Sequence, residues 1–380
     1  MQRTISHTLT RKQLLHIKTT HLLFMIGLIS ACMLSSCLQE DMLKTQFVSY
    51  QPQRMDDGWK LSTPESEGID GVALADIYRQ FHTDNALWQV RSMLIFRNGK
   101  LVAESYTKDP SDAIIPRAVW SCTKQVMGLL TGIAIQQKML AISDSLGELL
   151  PEVKNYPDKG IITLRHLLTM RSGIDFQNGG LSGQTQALLR QLPNNSVNLI
   201  LERPLESTPG EKFHYTDGSP HLISAVIQHA TGKRTRDWAQ DVLFSKIGVQ
   251  HLKWEEYRDG VTFGGFGILT TLRELAKFGQ IVLDSGRWNG VPIVNSAWIQ
   301  EMTTEISNVD VYSAQFGYLW WLYKSRSLIA MDGHGGQYVF IAPKKKLVIV
   351  MTAEVNTQGK FQFLNTDALR WVDKIVGITR

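Results

Sequence analysis

Two short apolar stretches, residues 92–96 and 101–106, flank Arg97-Asn98-Gly99-Lys100. Asn-Gly between such stretches predicts a tight hairpin, because both central residues of that turn need positive φ. Ahead of it, residues 71–81 repeat their apolar positions at helical spacing. From Ser121 to about Val249 helical periods take over. Residues 125–137 are apolar over most of their surface, with Gly128 and Gly132 four apart. This predicts a central helix packed closely on several sides. Helices are also predicted over 164–170, with Thr163 as cap, over 220–230 and over 236–244. Residues 174–198, rich in Gly, Asn, Ser and Gln, predict a long loop forming one wall of a cleft. After Gly260 the pattern is mixed. Residues 271–283 predict an amphipathic helix, residues 317–323, 337–341 and 347–352 strands, and residues 361–376 a closing helix. The first two of these strands are joined through 325–336 and the last two through Pro343-Lys344-Lys345-Lys346.

Strands at both ends with helices between them predict an α/β (α+β) fold. It comprises a mixed, mainly antiparallel sheet flanked by helices, about residues 61–120 and 260–380. An all-helical lobe, about residues 121–259, is inserted, and a site is expected at the seam.

Residues 1–20 carry Arg3, Arg11, Lys12 and Lys18 and no acid, and residues 22–36 are apolar and small. A basic stretch, a short apolar run and small residues before a cleavage point predict an export signal over residues 1–36. The run is short for a membrane span, although an uncleaved anchor is the alternative. Leu34-Ser35-Ser36-Cys37 resembles the lipobox of bacterial lipoproteins, which implies lipidation of Cys37 and a tether over 37–60; Ile29-Ser30-Ala31-Cys32 is a second, poorer match. The expected location is outside the cytoplasm, on a bacterial membrane through the lipid. Cleavage before Cys37 leaves 344 residues with 36 basic and 35 acidic side chains, net +1 in place of +5. That balance gives no ground for a nucleic-acid partner. With Cys37 lipidated, Cys122 has no disulfide partner. At 43 % apolar residues the chain can bury a large core.

Ser121-Cys122-Thr123-Lys124 places a hydroxyl and an amine three residues apart at a helix start, one turn above the other. Serine needs a base to become a nucleophile, and a buried lysine can serve once it has lost its proton. Plainer readings are a helix cap for Ser121 and a solvated face for Lys124. Ser105-Tyr106-Thr107-Lys108 repeats the spacing on a predicted strand, where residues three apart face opposite ways; it is expected to be a surface pair.

Two further patterns follow in order: Tyr215-Thr216-Asp217, after Pro209-Gly210-Glu211-Lys212-Phe213, and His334-Gly335-Gly336 before the strand at 337–341. With Ser121-x-x-Lys124 they resemble the three motifs of the penicillin-recognising serine hydrolases. The likeness is to the class C β-lactamase-like branch, with its DD-peptidases, esterases and 6-aminohexanoate-dimer hydrolases. Residues 162–173, Gly264-Gly265-Phe266-Gly267 and residues 273–279 extend it, from about Trp59 to the C-terminus. The resemblance implies that Ser121 attacks a carbonyl, that Lys124 takes or relays its proton with a depressed pKa, and that Tyr215 acts as second base and then acid. It implies an oxyanion hole from the backbone N–H groups of Ser121 and Gln337. Gly336 would let the strand approach the substrate, and His334 and Asp217 would line the substrate site. No cofactor or metal is implied. Tyr257-Arg258-Asp259-Gly260 copies the tyrosine pattern without the preceding stretch and is set aside. Cys122 is read as a packed residue.

Two positions depart from the commonest pattern. Asp217 stands where β-lactamases usually have asparagine, and an ionised carboxylate cannot donate a hydrogen bond. His334 stands where lysine is usual, and histidine is largely neutral at pH 7; as a plain turn residue it would have no role. Both changes lower the positive charge available to an acidic substrate. The expected activity is therefore a serine amidase or esterase acting on a small or peptide-like substrate. A β-lactamase or DD-peptidase, and a non-catalytic sensor on the same scaffold, are the alternatives. No Gly-x-Ser-x-Gly elbow or His-Glu-x-x-His motif is present, so an α/β-hydrolase or zinc hydrolase has no support.

Overall fold

The computed structural model describes residues 48–176, 194–304, 307–311, 314–355 and 363–380. In chain order the strands are β1 (Lys60–Leu61), β2 (Val90–Arg97), β3 (Lys100–Tyr106), β4 (Arg117–Ala118), β5 (Lys253–Trp254), β6 (Ile268–Thr270), β7 (Arg287–Trp288), β8 (Val291–Pro292), β9 (Ser307–Val311), β10 (Ala314–Phe316), β11 (Trp321–Tyr323), β12 (Leu328–Gly333), β13 (Gln337–Ala342) and β14 (Leu347–Ala353). Nine of them form one sheet in the order β1-β3-β2-β14-β13-β12-β11-β10-β9. Only β1 with β3 is parallel, and the other neighbours are antiparallel. The hairpin at Asn98-Gly99 joins β2 to β3, with φ of 51° and 73°.

The sheet is covered on both faces. Helix Leu272–Leu283 lies on one, where a Cβ added to Gly279 would sit 2.7 Å from Val339 Cγ1 and 3.2 Å from Val348 Cγ1. Helix Asn365–Gly377 lies on the other, where Tyr338 donates to the Phe363 carbonyl and the neighbouring helix Gly71–Thr83 sends the Tyr78 hydroxyl to the Met93 carbonyl. Adjacent strand residues point to opposite faces, so β13 serves both layers. Helix Cys122–Gln136 runs between the sheet and the helical region, with residues 122–134 buried. The mixed, mainly antiparallel sheet with an inserted helical region is the expected architecture.

Local departures have local causes. Residues 317–320 turn before β11, and Leu319 has φ of 64°. The predicted link 325–336 contains β12, whose Leu-Ile-Ala-Met run is too short to mark a strand by itself. Residues 177–193 of the predicted loop lie outside the described residues, and its last three residues open helix Ser196–Leu201. The closing helix starts at Asn365. Ser105 is buried and bonds His82 Nε2 at 2.7 Å, because helix Gly71–Thr83 ends over that face of β3. It is not the expected surface residue. Lys108 instead lies over the Trp88 ring. The expected signal, Cys32 and Cys37 lie outside the described residues. The described part of the tether is irregular but lies against the body: Tyr50 stacks on Tyr78 at 4.8 Å and Trp59 is buried. Among the described residues no helix is long and apolar enough to cross a membrane.

The glycine pair of the central helix is a packing requirement. A Cβ on Gly132 would lie 2.1 Å from Trp298 Cδ1, and Trp298 Nε1 donates to the Gly128 carbonyl at 3.0 Å. Alanine gains about 1 kcal/mol of helix propensity, but overpacking costs roughly 1–3 kcal/mol. Gly132→Ala is expected to lower the urea midpoint, with a net loss of up to about 2 kcal/mol.

Candidate active site

Ser121 sits at the head of the central helix, after Trp120 with φ of 50°. It takes the N-cap position, as the cap reading has it, but its side chain makes no capping bond. Lys124 follows one turn later and is fully buried, which removes the solvated reading. Its Nζ donates to Ser121 Oγ at 2.9 Å, to the Gly265 carbonyl at 2.7 Å and to Asp217 Oδ1. An ammonium has three N–H groups, and here they meet three acceptors. Two of the acceptors come from distant segments, brought in by close backbone packing. A Cβ on Gly264 would lie 1.9 Å from the Pro220 carbonyl, and one on Gly265 would lie 2.8 Å from Asp217 Cβ. Only a glycine turn can rest on the start of helix Gly218–Thr231 in this way.

The depressed lysine pKa expected from sequence is not what the site produces. Burial pulls the Lys124 pKa down, but the Asp217 carboxylate, Tyr215 and their hydrogen bonds outweigh it, and the net shift is upward. At rest Lys124 is an ammonium. The reason is Asp217, where an amide would supply no charge. Asp217 is 3 % exposed and does not cap its own helix through its side chain. Its carboxylate is turned onto Lys124.

The Tyr215 ring lies 5.0 Å from Lys124 Nζ, between Trp321 at 5.5 Å and Phe316 at 6.2 Å. Burial raises its hydroxyl pKa, against the opposing pull of the Lys124 charge and of hydrogen bonding with Ser121. Tyr257 packs on His221 and Phe263 instead, as an ordinary buried tyrosine.

His334, Gly335 and Gly336 form the turn from β12 to β13. The glycines have φ of 75° and 95°, and added Cβ atoms would lie 2.6 Å from Val355 Cγ2 and 2.8 Å from Ala353 Cβ. His334 is exposed and meets the Trp120 ring edge to face at 5.4 Å. Desolvation lowers its pKa, which leaves a neutral ring at pH 7. Gln337 is buried and its Nε2 donates to the Ala353 carbonyl at 2.7 Å. The Cys122 thiol donates to the Gln337 carbonyl at 3.3 Å, fastening the first residue of β13 to the residue after Ser121. Burial pushes the thiol pKa well up, as suits a packed residue.

Sequence reasoning missed several groups. The 264–267 turn was visible, but not that the Gly265 carbonyl holds Lys124. The aromatic neighbours Trp120, beside His334, and Phe316 and Trp321, beside Tyr215, carry no motif. Asp332, on β12, has its carboxyl pKa pushed up to about 7 by burial, against a hydrogen bond from Asn365, and one aspartate in a short strand gives no signal. Among the described residues no group of three His, Cys, Asp or Glu side chains is placed to hold a metal ion. Cys37 lies outside the described residues.

The beta-lactamase family profile matches residues 65–371. The 6-aminohexanoate-dimer hydrolase of Paenarthrobacter ureafaciens is 20 % identical over 283 residues, covering 68 % of this chain and 71 % of that one. Among solved structures, a penicillin-binding protein homologue from Caulobacter crescentus superposes with a TM-score of 0.66 at 13 % identity, covering 88 % of this chain and 100 % of the other. The D-amino acid amidase of Ochrobactrum anthropi SV3 gives 0.64 at 14 % identity, covering 79 % and 99 %. At these identities the superpositions establish the shared fold.

Removing one member of a buried ion pair strands the other, at a cost of about 3–5 kcal/mol. Lys124→Met is expected to destabilise the protein by about that much in urea unfolding. In Lys124→Met/Asp217→Asn no charge is stranded, and most of the loss should be recovered. Additive losses would mean that the two side chains do not act as a pair.

Proposed function

The chain belongs to the beta-lactamase family, a family of hydrolases, and from that premise we propose a serine hydrolase that cleaves an amide or ester bond through an acyl-enzyme on Ser121. The observation that carries this reading is the 2.9 Å contact between Ser121 Oγ and a buried Lys124. A scaffold used only for binding has no need of that contact, or of Tyr215 against the same amine.

Because Lys124 is already charged, it cannot simply accept the serine proton. It can relay it. As Ser121 Oγ attacks the substrate carbonyl, its proton passes to Nζ while Nζ gives another to Asp217. Lys124 stays an ammonium beside the developing charge, and Asp217 ends as the neutral acid. General acid–base steps of this kind contribute about 10²–10⁴-fold. Backbone N–H groups of Ser121 and Gln337 are the expected donors to the carbonyl oxygen. Tyr215 then protonates the departing amine or alcohol, and water releases the acyl group by the reverse route.

The electrostatics favour a neutral substrate. The Lys124–Asp217 pair has no net charge, and His334 is neutral at pH 7, so no fixed cation is left at these motif positions for a substrate carboxylate. This supports a neutral amide or ester over a β-lactam or a peptide ending in D-alanine. The same reading includes export and lipid anchoring at Cys37, on the strength of the N-terminal sequence.

A fluorophosphonate probe followed by intact-mass measurement tests the nucleophile. One adduct per chain is expected, absent in Ser121→Ala and retained in Ser105→Ala. Equal labelling of wild type and Ser121→Ala would sink the proposal. A neutral short-chain ester should turn over faster than a β-lactam under the same conditions.

A further inference from the structure

The end of the sheet remote from Ser121 carries basic residues in the turns and strand ends that span seven adjacent strands, from β1 to β11. At the β2–β3 hairpin these are Arg97 and Lys100, with Lys60 opening β1 in register with Lys100. The next turn, residues 343–346, joins β13 to β14 and consists of a proline and three lysines; Lys346 accepts a backbone bond from Asn98, so the two turns touch. The third, residues 324–327 between β11 and β12, adds Lys324 and Arg326. None of the three turns contains an acid. With strands about 4.8 Å apart, the row is roughly 29 Å long. Arg380 joins it, since its carbonyl accepts from Arg97 at 2.7 Å.

Two side-chain carboxylates reach into this row. Glu67 pairs with Lys100 at 2.6 Å and Asp373 with Arg326 at 3.1 Å. Nine basic and two acidic residues therefore stand here, while the rest of the chain from Cys37 onward holds 27 basic and 33 acidic residues. A sequence net charge near zero hides a strongly polarised surface. The row is also far from the chemistry. β13 begins at Gln337 in the active site and ends at Ala342 beside the lysine turn, about 17–20 Å away.

We propose that this basic row docks the protein on an anionic phospholipid surface and turns the Ser121 cleft away from it. The inference stands on charge placement and does not depend on the chemistry of Ser121. A line of basic turns along one sheet end matches a plane of phosphates. None of the large exposed apolar side chains lies in the three turns, so there is no stacking platform of the kind single-stranded nucleic acid uses. The attachment is electrostatic and salt-sensitive. Chain length is compatible with a lipid on Cys37. The Tyr50 carbonyl accepts from the Glu104 amide, four residues and about 13 Å along β3 from Lys100. The 11 residue steps from Cys37 to Val48 can span up to about 37 Å.

Cosedimentation of the full chain with vesicles tests this. One set is phosphatidylcholine alone, the other an equal mixture with phosphatidylglycerol. The variants are Lys60→Glu/Lys344→Glu/Lys346→Glu and, as a control of equal charge change on the helical lobe, Lys138→Glu/Lys154→Glu/Lys212→Glu. Each basic residue at such a surface is worth about 1 kcal/mol, roughly fivefold. The first triple should lose on the order of 100-fold in its preference for the anionic vesicles, and high salt should remove the wild-type preference. The control triple, binding to neutral vesicles and probe labelling of Ser121 should stay as in wild type. An unchanged preference in the first triple, or an equal loss in the control, overturns the proposal. Tighter binding to a short DNA duplex than to the anionic vesicles, lost in the first triple, would assign the row to nucleic acid instead.

Discussion

A lysine and an aspartate, both cut off from water, face each other where three distant segments meet. The central helix brings Lys124, the start of helix Gly218–Thr231 brings Asp217, and the glycine turn brings the Gly265 carbonyl. Burying either charge alone costs several kcal/mol, so each segment is held where it completes the other's coordination. The requirement reaches into ordinary packing. Gly264 and Gly265 must be glycines to let the turn down onto Pro220 and Asp217. Ser121 is fixed as a by-product, one helical turn from an amine that cannot move.

The same pair sets the chemistry of the cleft. A neutral lysine would be a ready base with no charge to offer the transition state. In the proposed mechanism a lysine held as an ammonium keeps its charge beside the reacting atoms but must pass protons on, and the acceptor is the carboxylate that keeps it charged. Tyr215, held against ionisation by burial and drawn towards it by the Lys124 charge, completes the set through which the proposed proton transfers run. Around that set lie aromatic and imidazole rings: Trp120 meets His334, and Phe316 and Trp321 meet Tyr215.

Much of this was legible in the sequence because it is written locally. Asn98-Gly99 encodes a turn by its own φ preferences, Gly128 and Gly132 mark one helix face, and a serine and lysine three apart need only a helix to meet. What the sequence hides is set by partners far along the chain. Asp217 follows Tyr215 by two residues, where the resemblance implies asparagine. That it would turn inward and charge the lysine depends on Gly265, 48 residues later. The upward shift of Asp332 likewise comes from burial in β12, which outweighs its hydrogen bond with Asn365. Strand β12 was missed because its apolar run is short, and it is a strand because β11 and β13 offer it hydrogen bonds on both sides. The basic row escaped notice for a similar reason: its members are scattered over more than 300 residues, and only the strand order brings them together.

The most direct test of the proton relay is the pre-steady-state rate at which Ser121 of the Asp217→Asn variant is acylated by a neutral activated ester. Asparagine keeps the shape and removes the proton acceptor. The relay predicts a fall of about 10²–10⁴-fold with Ser121 still the residue modified. Acylation as fast as in wild type, or faster, would show that Lys124 takes the serine proton unaided and that Asp217 serves only as its counter-ion.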